Sequence, residues 1–306
     1  MCVNDGSSDN SLEILEEYAE QDSRIRVVSQ SNRGLAAARN TGLQYCTGEW
    51  VIGVDADDYV APDVVERTLA LAEDEVDMIF FGVQMVDDGG ENLPDEQGYF
   101  ELPSGKQEFS ERLALKLNVC FWSKLWRRSL IEEHGLRFPD GLVHEDEVFY
   151  YLAAPFVRSV AFSPSTGYYY VQRSGSIMHS NISVLGAARK CVSILDYVRS
   201  HATVHHASFY LCMLWRLYKQ CFHHARREER SELAAIFRAA VPSDAPADDY
   251  RVACLFENDS SWVRREPARL VYCVSSIPVL ARVFDGLRFS GWQFALWRAM
   301  CARLSR

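Results

Sequence analysis

The chain has 306 residues, of which 48% are hydrophobic and 24% charged, a composition that supports one large α/β domain with a smaller appendage and excludes disorder or low complexity. The formal net charge of -10 at pH 7 argues against nucleic acid as a partner, since a phosphate-backbone binder needs a basic surface. Nine scattered cysteines with no CxxC pair indicate the reduced thiols of a cytoplasmic protein, and no apolar run is long enough to span a bilayer.

Strand and helix signals alternate over the first hundred residues. "DNSLEILEEYAEQ" reads as an amphipathic helix with Asn10 as N-cap, Glu13 three residues on, and Leu15, Tyr18 and Ala19 on one face. "RIRVVSQ" is a short strand, "GLAAARNTGLQYC" a helix, "EWVIGVD" a strand without polar alternation, "APDVVERTLALAED" a helix entered through Pro62, and "DMIFFGVQMV" another apolar strand. Such strands separated by helices predict an α/β fold with a mostly parallel sheet covered by helices on both faces. In sheets of that kind ligands sit beyond the carboxyl ends of the strands, where Asp55 and Asp57 fall. A turn-rich segment then leads into an aromatic-rich region, and the pattern after about residue 183 is helical. The expected division is residues 1–105, 106–182 and 183–306. Only Met1, Cys2 and Val3 precede the polar loop "NDGSSD", so the chain reads as starting inside a strand.

The tail differs in charge from the rest. Residues 262–306 hold eight Arg and two acids. On a helical wheel Phe294, Trp297, Met300, Cys301 and Leu304 fall on one side, and Arg298, Arg303 and Arg306 on the other. That layout suits an interfacial helix on anionic lipid, and it also suits a helix docked on the protein's own core.

Three loops carry residues suited to chemistry. In "VIGVDADDYVAPD" the carboxylates Asp55, Asp57 and Asp58 follow an apolar strand. A solvated turn that caps the next helix would explain them. Their mutual repulsion needs a cation or hydrogen-bond donors to compensate it, and the Asp-x-Asp spacing also suits Mg2+ or Mn2+, held by one or two carboxylates and completed by water and phosphate oxygens. "DGSSDNSLEILE" puts Asp5, Ser7, Asp9 and Glu16 at calcium-loop positions, but Asn10 stands where the sharp turn needs Gly and no entering helix precedes the loop, so a calcium loop is rejected. "GLVHEDEVFYY" sets Glu145, Asp146 and Glu147 after His144. These acids suit a helix N-terminus, and equally a general base with a pKa raised by apolar Val143 and Phe149.

Taken in order, the loops resemble a known family. "VNDGSSDNSLEILEEYAEQDSRIRVVSQSNRGLAAARNTGLQYCTGEWVIGVDADDYVAPD" resembles the nucleotide-sugar half of family 2 glycosyltransferases, the inverting bacterial enzymes of the GT-A fold. "FWSKLWRRSLIEEHGLRFPDGLVHEDEVFYYLAAPFVRSVAFSPSTGYYYVQRSGSIMHS" is similar to the second half in capsule and cell-wall polysaccharide members. The resemblance covers about residues 2–180. It implies that Asp5 binds the uracil and Arg39 lies near the base, that Asp55 is near the ribose, and that Asp57 holds the metal bridging the diphosphate. It further implies that Asp146 is the catalytic base with Glu145 beside it, and that Arg173 and Ser176 belong to a loop closing on the donor. His179 is a metal or phosphate contact or a solvated loop residue. Trp122 and Trp126 are either sugar-stacking platforms or core.

The expected function is transfer of a sugar from a UDP-sugar to a glycan or lipid-linked acceptor, with inversion and Mg2+ or Mn2+. The expected location is the cytoplasm, with peripheral contact on the inner face of the membrane. One departure stands out: the family's first strand and helix, with its Pro-x-Tyr-Asn-like segment, has no counterpart here. That implies a misassigned start or a truncated gene with an inactive product. The rivals are a non-catalytic binding remnant and an Asp-x-Asp phosphotransferase of another α/β fold.

Overall fold

The computed structural model describes residues 1–242 and Ala245, except residues 96, 97, 99, 143, 174–182 and 203–206. Strand β1 (Cys2–Asn4) pairs in parallel with β2 (Val27–Ser29), Val3 opposite Val28, with helix α1 (Ser11–Gln21) between them in sequence and α2 (Leu35–Tyr45) following. None of the residues of α1 is buried. Asn10 holds the N-cap position without a side-chain bond; Asp9, one residue earlier, accepts from the Ser11 N–H at 3.0 Å.

A second sheet contains β3 (Trp50–Ile52), β4 (Tyr59–Val60), β5 (Met78–Asp87), β6 (Asn92–Leu93), β7 (Gly105–Glu108), β8 (Lys124–Arg127) and β9 (Ser159–Gln172). Its order is β3-β8-β5-β9-β4, with β6 on β5 and β7 on β9. Here β5 and β9 run parallel, whereas β3–β8, β5–β8, β4–β9, β5–β6 and β7–β9 are antiparallel. The α/β class stands, but this sheet is mixed where the sequence predicts a mostly parallel one. The reason is physical: a strand covered on both faces reads as a continuous apolar run whichever way its neighbours point. Met78, Ile79, Phe80 and Phe81 of β5 are such a run and are fully buried. The neighbours that set direction, β8 and β9, come from the aromatic-rich region, so residues 1–105 and 106–182 share one sheet.

Short helices α3 (Val64–Leu69), α4 (Glu111–Ala114) and α5 (Arg128–Glu133) connect the strands, and α6 (Glu145–Ala153) precedes β9. Both candidate tryptophans are core. Trp122 stacks on Tyr168 with centroids 4.4 Å apart, and Trp126 is sealed, its indole N–H donating to the Phe121 carbonyl at 3.1 Å.

Beyond the sheet, α7 (Val184–His201), α8 (Ala207–His224) and α9 (Arg230–Ala239) lie within the stretch read as helical from residue 183 on. Tyr218 of α8 meets Phe237 of α9, Arg189 of α7 pairs with Glu232 of α9 at 3.1 Å, and Tyr151 of α6 meets Phe209 of α8 edge-on. The described cysteines are all free thiols; Cys191 and Cys221 lie with sulfurs 3.9 Å apart. No described helix is long and apolar enough to cross a membrane. Residues 1–244 and 245–306 are separate units; the basic tail falls in the second and lies outside the described residues.

Candidate functional site

The Asp-rich loop leaves the end of β3 through Gly53. A Cβ there would stand 2.6 Å from the Phe121 ring, so only glycine lets the loop approach the core this closely. The three carboxylates then diverge in role. Asp58 is structural: its oxygens accept from the Tyr168 hydroxyl at 2.8 Å and the Val171 N–H at 2.9 Å. Burial pushes its carboxyl up, partly countered by those two donors. The same Tyr168 oxygen accepts from the Asp55 N–H at 3.1 Å, which ties the loop to β9. Asp55 turns the other way and accepts from Arg39 Nη2 at 2.6 Å. Asp57 is exposed, and no described residue makes a hydrogen bond or ion pair with its carboxylate, while Arg173 donates to its backbone carbonyl at 3.1 Å.

Facing this loop is the start of α6. His144 enters it at φ 65°, the left-handed conformation, and Glu145, Asp146 and Glu147 make the first turn. Acids suit this end of a helix dipole, but the three face different surroundings. Glu145 is buried and accepts from Arg39 Nη1 at 2.5 Å; burial pushes its carboxyl up against the pull of Arg39. In Glu147, the burial effect raises the carboxyl and the Arg216 charge on α8 opposes it. Asp146 lies between them, half-buried, with Oδ1 accepting from the Glu147 N–H at 2.9 Å.

Asp5 fixes the third loop. Its Oδ1 accepts from Gln30 Nε2 at 2.7 Å and the Arg33 N–H at 3.0 Å, and its Oδ2 from the Gly34 N–H at 2.8 Å. Burial pushes this carboxyl up, but the three donors and the Arg33 charge outweigh it and hold it below the ordinary range. Gly34 caps α2 at φ 88°, so Asp5 anchors the start of the helix that carries Arg39, about 7.5 Å further along its axis.

The structure therefore brings Asp55, Arg39 and Glu145 into direct contact, with Asp57 and Asp146 one or two residues away and Arg173 on the Asp57 backbone. Ser176 and His179 lie outside the described residues. Two contributors escape the sequence reading. Asn40 brackets the backbone of Phe138, donating to its carbonyl at 2.8 Å and accepting from its N–H at 2.9 Å. Lys124, fully buried, donates to the Asn118 and Cys120 carbonyls beneath the Phe80, Trp126 and Tyr150 rings, and burial pushes its pKa down to about 7. Only the run of apolar neighbours around Lys124 hints at this, and nothing local marks Asn40.

Oxygen-only ligands and an exposed carboxylate without a described partner suit a hard divalent cation, which takes one or two protein carboxylates and fills its shell with water and phosphate oxygens. Asp57 meets that description, and Asp55 can join it only by sharing its charge with Arg39. No group of three or more His, Cys, Asp or Glu among the described residues is arranged to enclose a metal by itself.

An α/β sheet that ends in an Asp-x-Asp loop, facing a helix whose first turn presents a carboxylate pair, is the architecture of a GT-A-type transferase. Comparison with known proteins bears out the fold and the family. The profile for "Glycosyl transferase family 2" matches residues 1–135. GlyG of Streptococcus pneumoniae serotype 4, a glycosyltransferase, is 31% identical over 217 residues, covering 64% of this chain and 68% of GlyG. The chain belongs to glycosyl transferase family 2. EpsH of Bacillus subtilis (strain 168) is 38% identical over 185 residues, 58% of this chain and 53% of EpsH, so the chain spans about half the length of that relative. The structure of S. aureus TarS 1-349, solved in complex with UDP-GlcNAc, matches the fold with a TM-score of 0.61 at 22% identity, over 94% of this chain and 83% of that one.

Proposed function

We propose that the protein transfers a glycosyl group from a UDP-sugar to a hydroxyl of a glycan or lipid-linked acceptor, with inversion at the anomeric carbon. The observation that carries this reading is the convergence of Asp55, on the Asp-x-Asp loop, and Glu145, on α6, upon the single guanidinium of Arg39. Supporting it are the family membership and the UDP-GlcNAc complex of TarS, whose fold this chain shares.

In this reading Asp146 is the general base. Its carboxylate takes the proton from the acceptor hydroxyl as that oxygen attacks the anomeric carbon on the face opposite the nucleotide. Glu145, held by Arg39, shapes the acceptor side. Asp57, with Asp55, would hold Mg2+ or Mn2+, which offsets charge on the departing diphosphate so that no protonating acid is needed. Arg173 adds positive charge beside Asp57, and Ser176, three residues on in sequence, is assigned to the donor by the family resemblance alone. Asp5 and the start of α2 form the wall toward the uracil. The phosphotransferase alternative gives the Glu145–Asp146 pair no task. UDP release from a panel of UDP-sugars tests the reading against a binding remnant, which would release none.

The basic tail adds a proposal about location. The Arg excess of residues 262–306 on an acidic protein, together with a lipid-linked acceptor, favours peripheral attachment to the inner face of the cytoplasmic membrane. The intact protein is expected to float with anionic liposomes and to lose that association when residues 287–306 are deleted. Flotation that is indifferent to the deletion would make the tail a helix of the protein's own core.

A further inference from the structure

Arg39 does something that neither composition nor motif requires: one side chain, 12% exposed, spends both terminal nitrogens on carboxylates from two separate segments, the Asp-rich loop and the first turn of α6. Nη2 donates to Asp55 at 2.6 Å and Nη1 to Glu145 at 2.5 Å, linking residues 16 and 106 positions away. The stem is held as firmly as the head. Asp5 anchors the start of α2 through the Gly34 N–H, Asn40 brackets Phe138, and the Phe138 ring lies 5.5 Å from the guanidinium. Phe138 in turn stacks on Phe149 of α6, centroids 4.4 Å apart. Thus α2 touches the acceptor-side helix directly through the Arg39–Glu145 ion pair and indirectly through Phe138, which Asn40 holds and which stacks on Phe149, and it touches the Asp-x-Asp loop once.

We propose that Arg39 is a positioning residue whose rigid fork sets the separation between the donor-side carboxylate Asp55 and the acceptor-side pair Glu145–Asp146. The inference rests on the glycosyl-transfer reading and deepens it. It assigns Arg39 the task of joining the two segments, apart from any contact with the base. A planar guanidinium with two outward N–H edges can bridge two fixed carboxylates, whereas an ammonium is a point charge that satisfies one and lets the other drift. Because transfer needs the acceptor oxygen and the anomeric carbon in near-attack geometry, a drift of about 1 Å costs on the order of 100-fold in rate.

The test compares wild type with Arg39→Lys, which keeps the charge and loses the fork, and with Arg39→Met, which loses both. Turnover is read as UDP release from UDP-GlcNAc, UDP-glucose and UDP-galactose, and nucleotide affinity by calorimetry with UDP and Mn2+. Arg39→Lys is expected to lower kcat about 10- to 100-fold while KM for the donor and UDP affinity stay within about threefold. Unchanged kcat would overturn the proposal. So would a fall in UDP affinity that matches the fall in rate, which would make Arg39 a nucleotide ligand. A second measurement stands apart from turnover and covers an unfolded Arg39→Met or an inactive wild type. Double-mutant cycles of the uncharged variant Arg39→Gln with Asp55→Asn and with Glu145→Gln, read by urea unfolding, should each show coupling of at least about fivefold in the unfolding constant. Coupling in both arms with no UDP release in wild type would retain the clasp and sink the transfer reading; absence of coupling in either arm would sink the clasp itself.

Discussion

Asp146→Asn is expected to lower sugar transfer by about 10^3-fold while leaving UDP affinity within a few-fold of wild type, the loss a general base of this kind accounts for. The substitution is chosen because it is nearly silent structurally. The bond that Asp146 makes, accepting from the Glu147 N–H at 2.9 Å, is available to an asparagine oxygen as well. What disappears is a charged oxygen able to take a proton, along with a helix-dipole interaction worth about 0.3–1 kcal/mol. Activity within tenfold of wild type would remove Asp146 from the mechanism. Glu145→Gln would then be the next variant to examine, although its buried ion pair with Arg39 makes a change in stability part of any result.

The second large effect concerns the Asp-rich loop, where adjacent carboxylates should fail differently. Asp57→Asn is expected to abolish the metal-dependent part of UDP binding, at least the 10- to 100-fold lost when even an outer partner of a metal is removed, and to leave unfolding by urea unchanged. Asp58→Asn should do the reverse. Its carboxylate joins the Tyr168 hydroxyl and the Val171 N–H, so the variant should lose about 1–3 kcal/mol of stability and retain the metal dependence. Calorimetry with UDP and Mn2+, repeated in chelator, together with urea unfolding separates the two. Equal effects from both variants would contradict the division of roles.

How much of this was legible in the sequence depends on the range of each interaction. Helices α1 and α2 and the apolar strands β3 and β5 are written in local periodicity, and the structure places them within the predicted stretches, β5 running one residue further to Asp87. The Asp-x-Asp loop and the Glu145–Asp146 turn were found as charge at the ends of apolar runs. The direction of β8 and β9 was not legible, because a doubly covered strand carries no mark of its partner's polarity. Nor could spacing separate Asp58 from Asp57: they are neighbours in sequence, and only Tyr168 and Val171, 110 and 113 residues away, make one of them structural. Arg39 is the plainest case. Sequence pattern gave it a place near the base through resemblance, while its contacts with Asp55 and Glu145 depend on three segments meeting. Trp122 and Trp126 illustrate the converse, residues with a plausible functional reading that burial resolves as packing.

In the proposed mechanism Asp146 activates an attacking hydroxyl on the face opposite the nucleotide, and the stereochemistry of the product decides whether it does. An α-linked UDP-sugar that the protein turns over, with water or a simple sugar as acceptor, can be followed by proton NMR through the anomeric coupling of the first product formed. A β-configured product is expected at the earliest times, together with its loss, along with that of UDP release, in Asp146→Asn. An α-configured first product, or turnover that survives the substitution, would contradict it.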